Sequence, residues 1–206
     1  MNFADNILWL LIAYLIGSIP TGYLVAKRVC AIDIRQHGSR NVGATNVFRV
    51  VGKGWGIFVF AIDLLKGFVV VALLAPKAPA FVSFAPALKQ LVFGCAAISG
   101  HTWTLWLNLK GGKGVATGCG VLFGVFPKAA LATFLVWVIC FLVKRYVSLA
   151  SIIASASFPV CLILFYRHVK SFGIILLLGT VLSGLLIYNH RGNIERLKNG
   201  KEPKIK

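Results

Sequence analysis

Long apolar runs, separated by short polar, glycine-rich or basic connections, dominate the chain. A helix needs about 20 residues to cross a hydrocarbon core about 30 Å thick, and several runs approach or reach that length. In order they predict seven helices: Ile7 to Ala26, Gly54 to Ala75, Phe84 to Gly100, Gly114 to Phe126, Lys128 to Val143, Val147 to Phe165 and Ser171 to Tyr188. Joining the fourth and fifth would make a 30-residue span with Pro127 and Lys128 at its middle. Two helices meeting at the proline fit better, because proline interrupts helical hydrogen bonding. The apolar stretch Leu8 to Ile16 has no Lys or Arg before it. It therefore lacks the basic flank of a signal peptide and is expected to be a retained first helix. No repeat, low-complexity linker or soluble segment interrupts the pattern, so residues 1–206 are expected to form one all-α integral membrane domain.

Composition agrees: 58% of the 206 residues are hydrophobic and only 13% charged, with a mean hydropathy of +0.85. An ordinary soluble domain is excluded. The net charge of +17 sharpens the picture through its placement. With seven spans, one side carries Lys77, Lys128, Arg167 and Lys170, and the other carries sixteen Lys and Arg. Six of the sixteen lie from Lys27 to Lys53 and six after Tyr188. The positive-inside rule then puts the C-terminus in the cytoplasm and the N-terminus outside. Topology and attraction to anionic lipid headgroups account for about half of the lysines, especially those after Lys198, and no nucleic-acid partner is expected.

That orientation gathers three polar segments on the cytoplasmic face. The first is GSRNVGATNVFR, Gly38 to Arg49. Gly38, Ser39, Gly43 and Ala44 allow backbone N–H groups to turn toward a ligand, and Asn41 is expected to cap a helix starting at Val42. Thr45 and Arg49, four apart, share a face with Asn46 beside them, offering a hydroxyl, a guanidinium and an amide to one phosphate. The second segment runs from Gly100 to Thr117, with Gly111, Gly112 and Gly114 around Lys113 at the start of an apolar helix, and Lys110 as a second cation. Backbone donors and a cation at a helix start favour an anion. A nucleotide P-loop is excluded, because Gly114 follows Lys113 and Leu107 stands where the first glycine would be. Trp103 and Trp106 read most simply as interfacial residues, with contact to a lipid or acyl chain as the second reading. The third segment, YNHRGNIERLKNGKEPK from Tyr188, places His190 and Asn193 three apart on one helical face.

Other chemistry is poorly supplied. The chain has five acidic residues, no Gly-x-Ser-x-Gly elbow and no His-x4-Asp motif, since Trp106 and Glu195 occupy the fifth positions after His101 and His190. Cys30, Cys95, Cys119, Cys140 and Cys161 are scattered and odd in number, suggesting packing thiols; no metal or cofactor is expected. Asp63 and Lys66 are expected to pair across one helical face inside the second span in a structural role.

Together the three segments resemble those of the bacterial acyl-phosphate:glycerol-3-phosphate acyltransferase family, in order and over the whole chain, including an early GSIPTGY from Gly17 to Tyr23. The family commonly has Gly and Pro where Arg40 and Val42 stand, and Pro where Thr104 stands. The resemblance implies acyl transfer from acyl phosphate to the 1-hydroxyl of sn-glycerol 3-phosphate at the bacterial inner membrane, giving lysophosphatidic acid. It implies Ser39, Asn41, Thr45, Asn46, Arg49, Lys113 and its glycines as ligands of the phosphates, and His190 and Asn193 at glycerol phosphate and the reacting carbonyl. Glu202 would serve integrity. The proton acceptor is either the substrate's own phosphate or His190. A small organophosphate or anion transporter is the rival class, disfavoured because the polar residues gather on one side and no inverted repeat is visible. A lipid-binding protein without chemistry would leave His190 and Asn193 dispensable.

Overall fold

A computed structural model describes residues 3–79 and 85–205, with side-chain detail from Asn6 onward. Among them all regular structure is helical, and the chain is an all-α, multi-pass integral membrane protein. It divides into two compact units, Met1–Val125 and Phe126–Lys206. Among the described residues, five stretches are long and apolar enough to cross a membrane: Asn6–Cys30, Lys53–Lys77, Pro127–Lys144, Val147–Tyr166 and Phe172–Asn189. The expected third and fourth spans are shorter helices, and Phe84, the expected start of the third, lies outside the described residues.

The first unit contains α1 (Phe3–Ser18), α2 (Thr21–Cys30), a 3-10 turn (Ile34–Gln36) and α3 (Ala44–Val50). It continues with α4 (Lys53–Val69), which runs through a π-helical stretch (Val70–Leu74) into the short α5 (Ala75–Lys77). Then come α6 (Pro86–Thr102), a second 3-10 turn (Leu105–Leu107) and α7 (Val115–Val125). The expected continuous helix from Ile7 to Ala26 is broken at Ile19 and Pro20. Pro20 cannot donate to the helical ladder. The Ile19 carbonyl instead accepts from Thr21 N at 3.0 Å and from Lys66 Nζ at 3.1 Å.

Two helix pairs organise this unit, α1 with α6 and α4 with α7. Both rest on glycines at backbone contact, as membrane helices commonly do where dispersion and close approach replace the hydrophobic effect. A Cβ on Gly17 would lie 2.0 Å from the Ala97 carbonyl oxygen, and one on Gly100 2.1 Å from that of Tyr14. Between α4 and α7 the same holds for Gly67 against Thr117 and Gly120 against Leu64, at 2.1 and 1.9 Å.

The second unit contains α8 (Pro127–Lys144), α9 (Val147–Tyr166), α10 (Phe172–Asn189) and α11 (Arg191–Lys198). As expected, a separate helix begins at Pro127, where the missing N–H costs nothing in the first turn. Lys128 N donates to the Tyr166 hydroxyl at 3.2 Å, and Trp137 Nε1 donates to Ser151 Oγ at 3.1 Å between α8 and α9. The tail returns to this unit, with Ile205 N donating to the Arg145 carbonyl at 3.0 Å.

Candidate active site

The first glycine loop hangs between α2 and α3, and one buried amide shapes it. Asn46, 1% exposed, accepts from Ser39 N at 2.9 Å through Oδ1. Its Nδ2 lies within donating distance of three carbonyls, Ile34 at 3.3 Å, His37 at 3.0 Å and Asn41 at 2.9 Å. Asn46 therefore acts as the hub of the loop, holding the backbone that carries Ser39 and Asn41. Gly38 is required beside it: its φ is +58°, and a Cβ there would lie 2.3 Å from Asn46 Oδ1. Asn41 does not cap a helix beginning at Val42. The helix starts at Ala44 with Gly43 as its cap, and Asn41 Oδ1 accepts from Gly43 N at 2.8 Å. The cause is Val42, which is buried with Val25, Ala26, Ile34, Val47, Val59 and Leu107; helical bonding begins only where Asn46 N and Val47 N reach the Gly43 carbonyl. Thr45 and Arg49 both lie on α3, four apart as expected. Arg40 is exposed and adopts φ +59°, a left-handed conformation disfavoured for a side chain of its size.

Upstream, Asp33 closes the 3-10 turn by accepting from Arg35 N at 3.0 Å. Its carboxylate also meets the Arg35 guanidinium, with Nη2 at 2.7 Å. The Arg35 side-chain hydrogen bond holds the Asp33 carboxyl down at about 2.

The second loop leaves α6 at Thr102. Its Leu107 is buried in the same apolar cluster as Val42 and Val47, so both glycine loops stand on one core. Gly111 N donates to the Thr102 carbonyl and Gly112 N to that of His101, each at 3.0 Å. These two N–H groups are thus committed to the end of α6 and do not serve as the expected anion donors. Lys113 and Gly114 remain at the start of α7, where first-turn N–H groups have no acceptor within their own helix. Lys110 is exposed, whereas Lys113 is half-buried.

Beneath this loop lies a buried polar cluster. Asp63 Oδ1 is 2.9 Å from Lys66 Nζ, accepts from Thr21 Oγ1 at 3.0 Å and lies 3.8 Å from His101 Nδ1. The Asp63–Lys66 pair was legible from spacing. Thr21 and His101 were not, because helical periodicity is blind to partners 42 and 38 residues away in sequence.

The third motif belongs to the second unit. His190 joins α10 to α11 and is buried. Its Nδ1 is 2.7 Å from the Leu186 carbonyl. That acceptor requires the proton on Nδ1, so in the neutral ring Nε2 is the basic nitrogen. Asn193, one turn on, is also buried. Its Nδ2 donates to Glu202 Oε1 at 2.7 Å, Ser148 Oγ donates to the same oxygen at 2.7 Å, and Arg196 Nε donates to Oε2 at 2.8 Å. Burial alone would raise the affinity of Glu202 for a proton, but the three donors outweigh it and hold the carboxyl below its usual range. Glu202 thereby fastens the tail to α9 and α11 and fixes the Asn193 amide.

A family model described as glycerol-3-phosphate acyltransferase matches residues 7–200. The glycerol-3-phosphate acyltransferase of Aquifex aeolicus is 47% identical over 191 residues, covering 92% of this chain and 94% of its own. That of Desulforudis audaxviator is 44% identical over 197 residues, covering 94% and 92%. The solved structure of PlsY (YgiH), an integral membrane glycerol 3-phosphate acyltransferase, in its glycerol 3-phosphate form matches 98% of this chain and 96% of that one, at 40% identity and a TM-score of 0.85. Its lysophosphatidic acid form gives a TM-score of 0.82 over 98% of this chain. A family match over residues 7–200, with relatives above 40% identical along more than nine-tenths of the chain, means that the chain belongs to the glycerol-3-phosphate acyltransferase family.

Proposed function

We propose that this enzyme transfers an acyl group from an acyl phosphate to the 1-hydroxyl of sn-glycerol 3-phosphate, in the bacterial cytoplasmic membrane with its active site facing the cytoplasm. The hydroxyl oxygen attacks the acyl carbonyl carbon, the bond from that carbon to the phosphate oxygen breaks, and lysophosphatidic acid and inorganic phosphate leave. The observation carrying this reading is the likeness along 98% of the chain to a PlsY structure in its glycerol 3-phosphate form. An acyl phosphate is already activated, so the protein has chiefly to orient two anions and stabilise a developing oxyanion.

Ser39, on the loop that Asn46 shapes, and Thr45 and Arg49, on α3, bind phosphate, with Gly38, Asn41 and Gly43 setting the backbone. Lys113 with Gly114 at the start of α7 supplies the second cation, and Lys110 contributes from the exposed side. Gly111 and Gly112 act through shape, their N–H groups being committed to α6. His190 and Asn193 orient glycerol 3-phosphate and the reacting carbonyl. The departing phosphate takes the hydroxyl proton, and no side-chain base is required. A second reading, in which His190 Nε2 takes it, is favoured by the bond between Nδ1 and Leu186, which makes Nε2 the basic nitrogen. His190→Gln separates the two: an acid limb lost from the pH profile of kcat supports His190 as base, and an unmoved profile supports the phosphate.

The function itself is tested by offering purified protein glycerol 3-phosphate with palmitoyl phosphate, palmitoyl-CoA or an acyl-carrier-protein thioester. Lysophosphatidate and free phosphate from palmitoyl phosphate alone are expected. Product from thioesters alone would remove the acyl-phosphate assignment, and no product from any donor would remove the enzyme reading.

A further inference from the structure

Two charged side chains toward the C-terminal end of α4 sit beneath the second glycine loop, on an element that carries none of its residues. Asp63 is 2% exposed and Lys66 6% exposed. Two charges so deep in an apolar bundle are costly unless the fold uses them to fix a geometry. They draw three helices and the break between α1 and α2 together. Thr21 of α2 donates to Asp63. Lys66 of α4 pairs with Asp63 at 2.9 Å and also donates to the Ile19 carbonyl in the break between α1 and α2. His101 of α6 is buried with its Nδ1 3.8 Å from the same Asp63 oxygen.

The His101 ring is in turn the floor of the loop. A Cβ on Gly112 would lie 2.0 Å from His101 Nε2, so the backbone at Gly112 rests directly on the imidazole. The His101 and Thr102 carbonyls receive the N–H groups of Gly112 and Gly111. Past the loop, Gly67, next to Lys66, lets Thr117 of α7 reach backbone contact with α4. Both ends of the KGGKG segment are therefore referred to one stretch of α4, residues 63–67.

We propose that Asp63 and Lys66 are positioning residues for catalysis: through His101 they hold Gly111 and Gly112, and so aim Lys113 at a substrate phosphate. The inference rests on the acyltransferase reading for its kinetic consequence but not for its structural one. A misplaced cation weakens phosphate binding while the remaining machinery still turns over bound substrate, so the effect falls on KM more than on kcat.

The test compares wild type, Asp63→Asn, and the neutral pair Asp63→Asn with Lys66→Met, in detergent micelles. A neutral pair commonly restores the stability lost when one member of a buried ion pair is removed. Two quantities are measured on each: amide hydrogen exchange across residues 108–116, and KM and kcat for glycerol 3-phosphate and palmitoyl phosphate. The expected result is a restored Tm in the double variant, with exchange at Gly111 and Gly112 faster by about tenfold and KM for one phosphate substrate raised by about tenfold at nearly unchanged kcat. Wild-type exchange and wild-type KM in the double variant would overturn the proposal, leaving the pair a purely structural one. Faster exchange in the double variant, alongside a wild type that makes no product from palmitoyl phosphate, would break the acyltransferase reading and leave the loop assignment standing. Should the single variant fail to accumulate, the double variant alone decides.

Discussion

The first glycine loop and the C-terminal motif solve one problem with opposite chemistry. Both must hold a short polar segment rigid against an apolar bundle, and both do so through a single buried side chain. In the first loop it is the neutral amide of Asn46, which accepts one backbone N–H and faces three carbonyls. In the tail it is the carboxylate of Glu202, which gathers the side chains of Ser148, Asn193 and Arg196. An amide can accept and donate, so it suits a loop whose backbone offers mostly carbonyls. A carboxylate only accepts, so it suits a site ringed by donors. The first hub is indifferent to pH, and the second is not.

The largest effect is expected from Asn46→Asp. The shape and the bond from Ser39 survive, but the amide –NH2 that faces three carbonyls becomes an acceptor facing them. The loss should be about 3 kcal/mol of stability, with turnover down by about a hundredfold because the loop that positions Ser39 is released. Thermal unfolding and initial rates on the purified variant check both. Retained activity would mean that the amide does not shape the site. Glu202→Gln comes next, at about 2 kcal/mol, because one oxygen facing Arg196 becomes a second donor while the bonds from Ser148 and Asn193 can be kept. Unfolding curves should show the smaller loss, and an Asn46→Asp variant milder than Glu202→Gln would reverse the comparison.

Acid sharpens the contrast further. The folded-state pKa of Glu202 is depressed, so its stabilisation is fully present above the unfolded carboxylate value of about 4 and is lost as pH falls through the folded one. Asp33 carries the same sign, with its window running down to about 2. Hydrogen exchange followed as pH is lowered from 6 should therefore show residues 190–202 constant to about pH 4 and loosening only below it, while the α3 amides held by the Asn46 hub stay protected. Loosening of the tail at higher pH would mean that the three donors do not hold the carboxylate.

The smallest expected effect is Arg40→Gly. Glycine accepts the left-handed backbone at φ +59° without strain, but it also gains freedom in the unfolded chain. A net gain of about 1 kcal/mol or less is expected. A clear rise in KM instead would give Arg40 a part in phosphate binding.

These two hubs also mark how far the sequence could be read. The membrane class, the separation of two helices at Pro127 and the three loop motifs follow from run length, proline and the spacing of glycines with cations, all local properties. Asn46 was legible as a polar residue of the motif but not as its hub, since its partners are backbone atoms placed by the folded loop. The break at Ile19 and Pro20 was hidden for a related reason: membrane helices tolerate proline, so an apolar run containing one reads as continuous until a partner for the freed carbonyl, here Lys66, is known. The helix expected from Val42 began two residues later because burial of Val42 outweighed the capping preference of Asn41.

The central claim, acyl transfer by attack at the carbonyl carbon, is tested most directly by following the bridging oxygen of the acyl phosphate. Purified protein is given glycerol 3-phosphate and palmitoyl phosphate carrying a heavy isotope in that oxygen, and the products are weighed by mass spectrometry. Unlabelled lysophosphatidic acid, with all of the label in inorganic phosphate, is predicted. Label recovered in palmitate, or no lysophosphatidic acid at all, would contradict it.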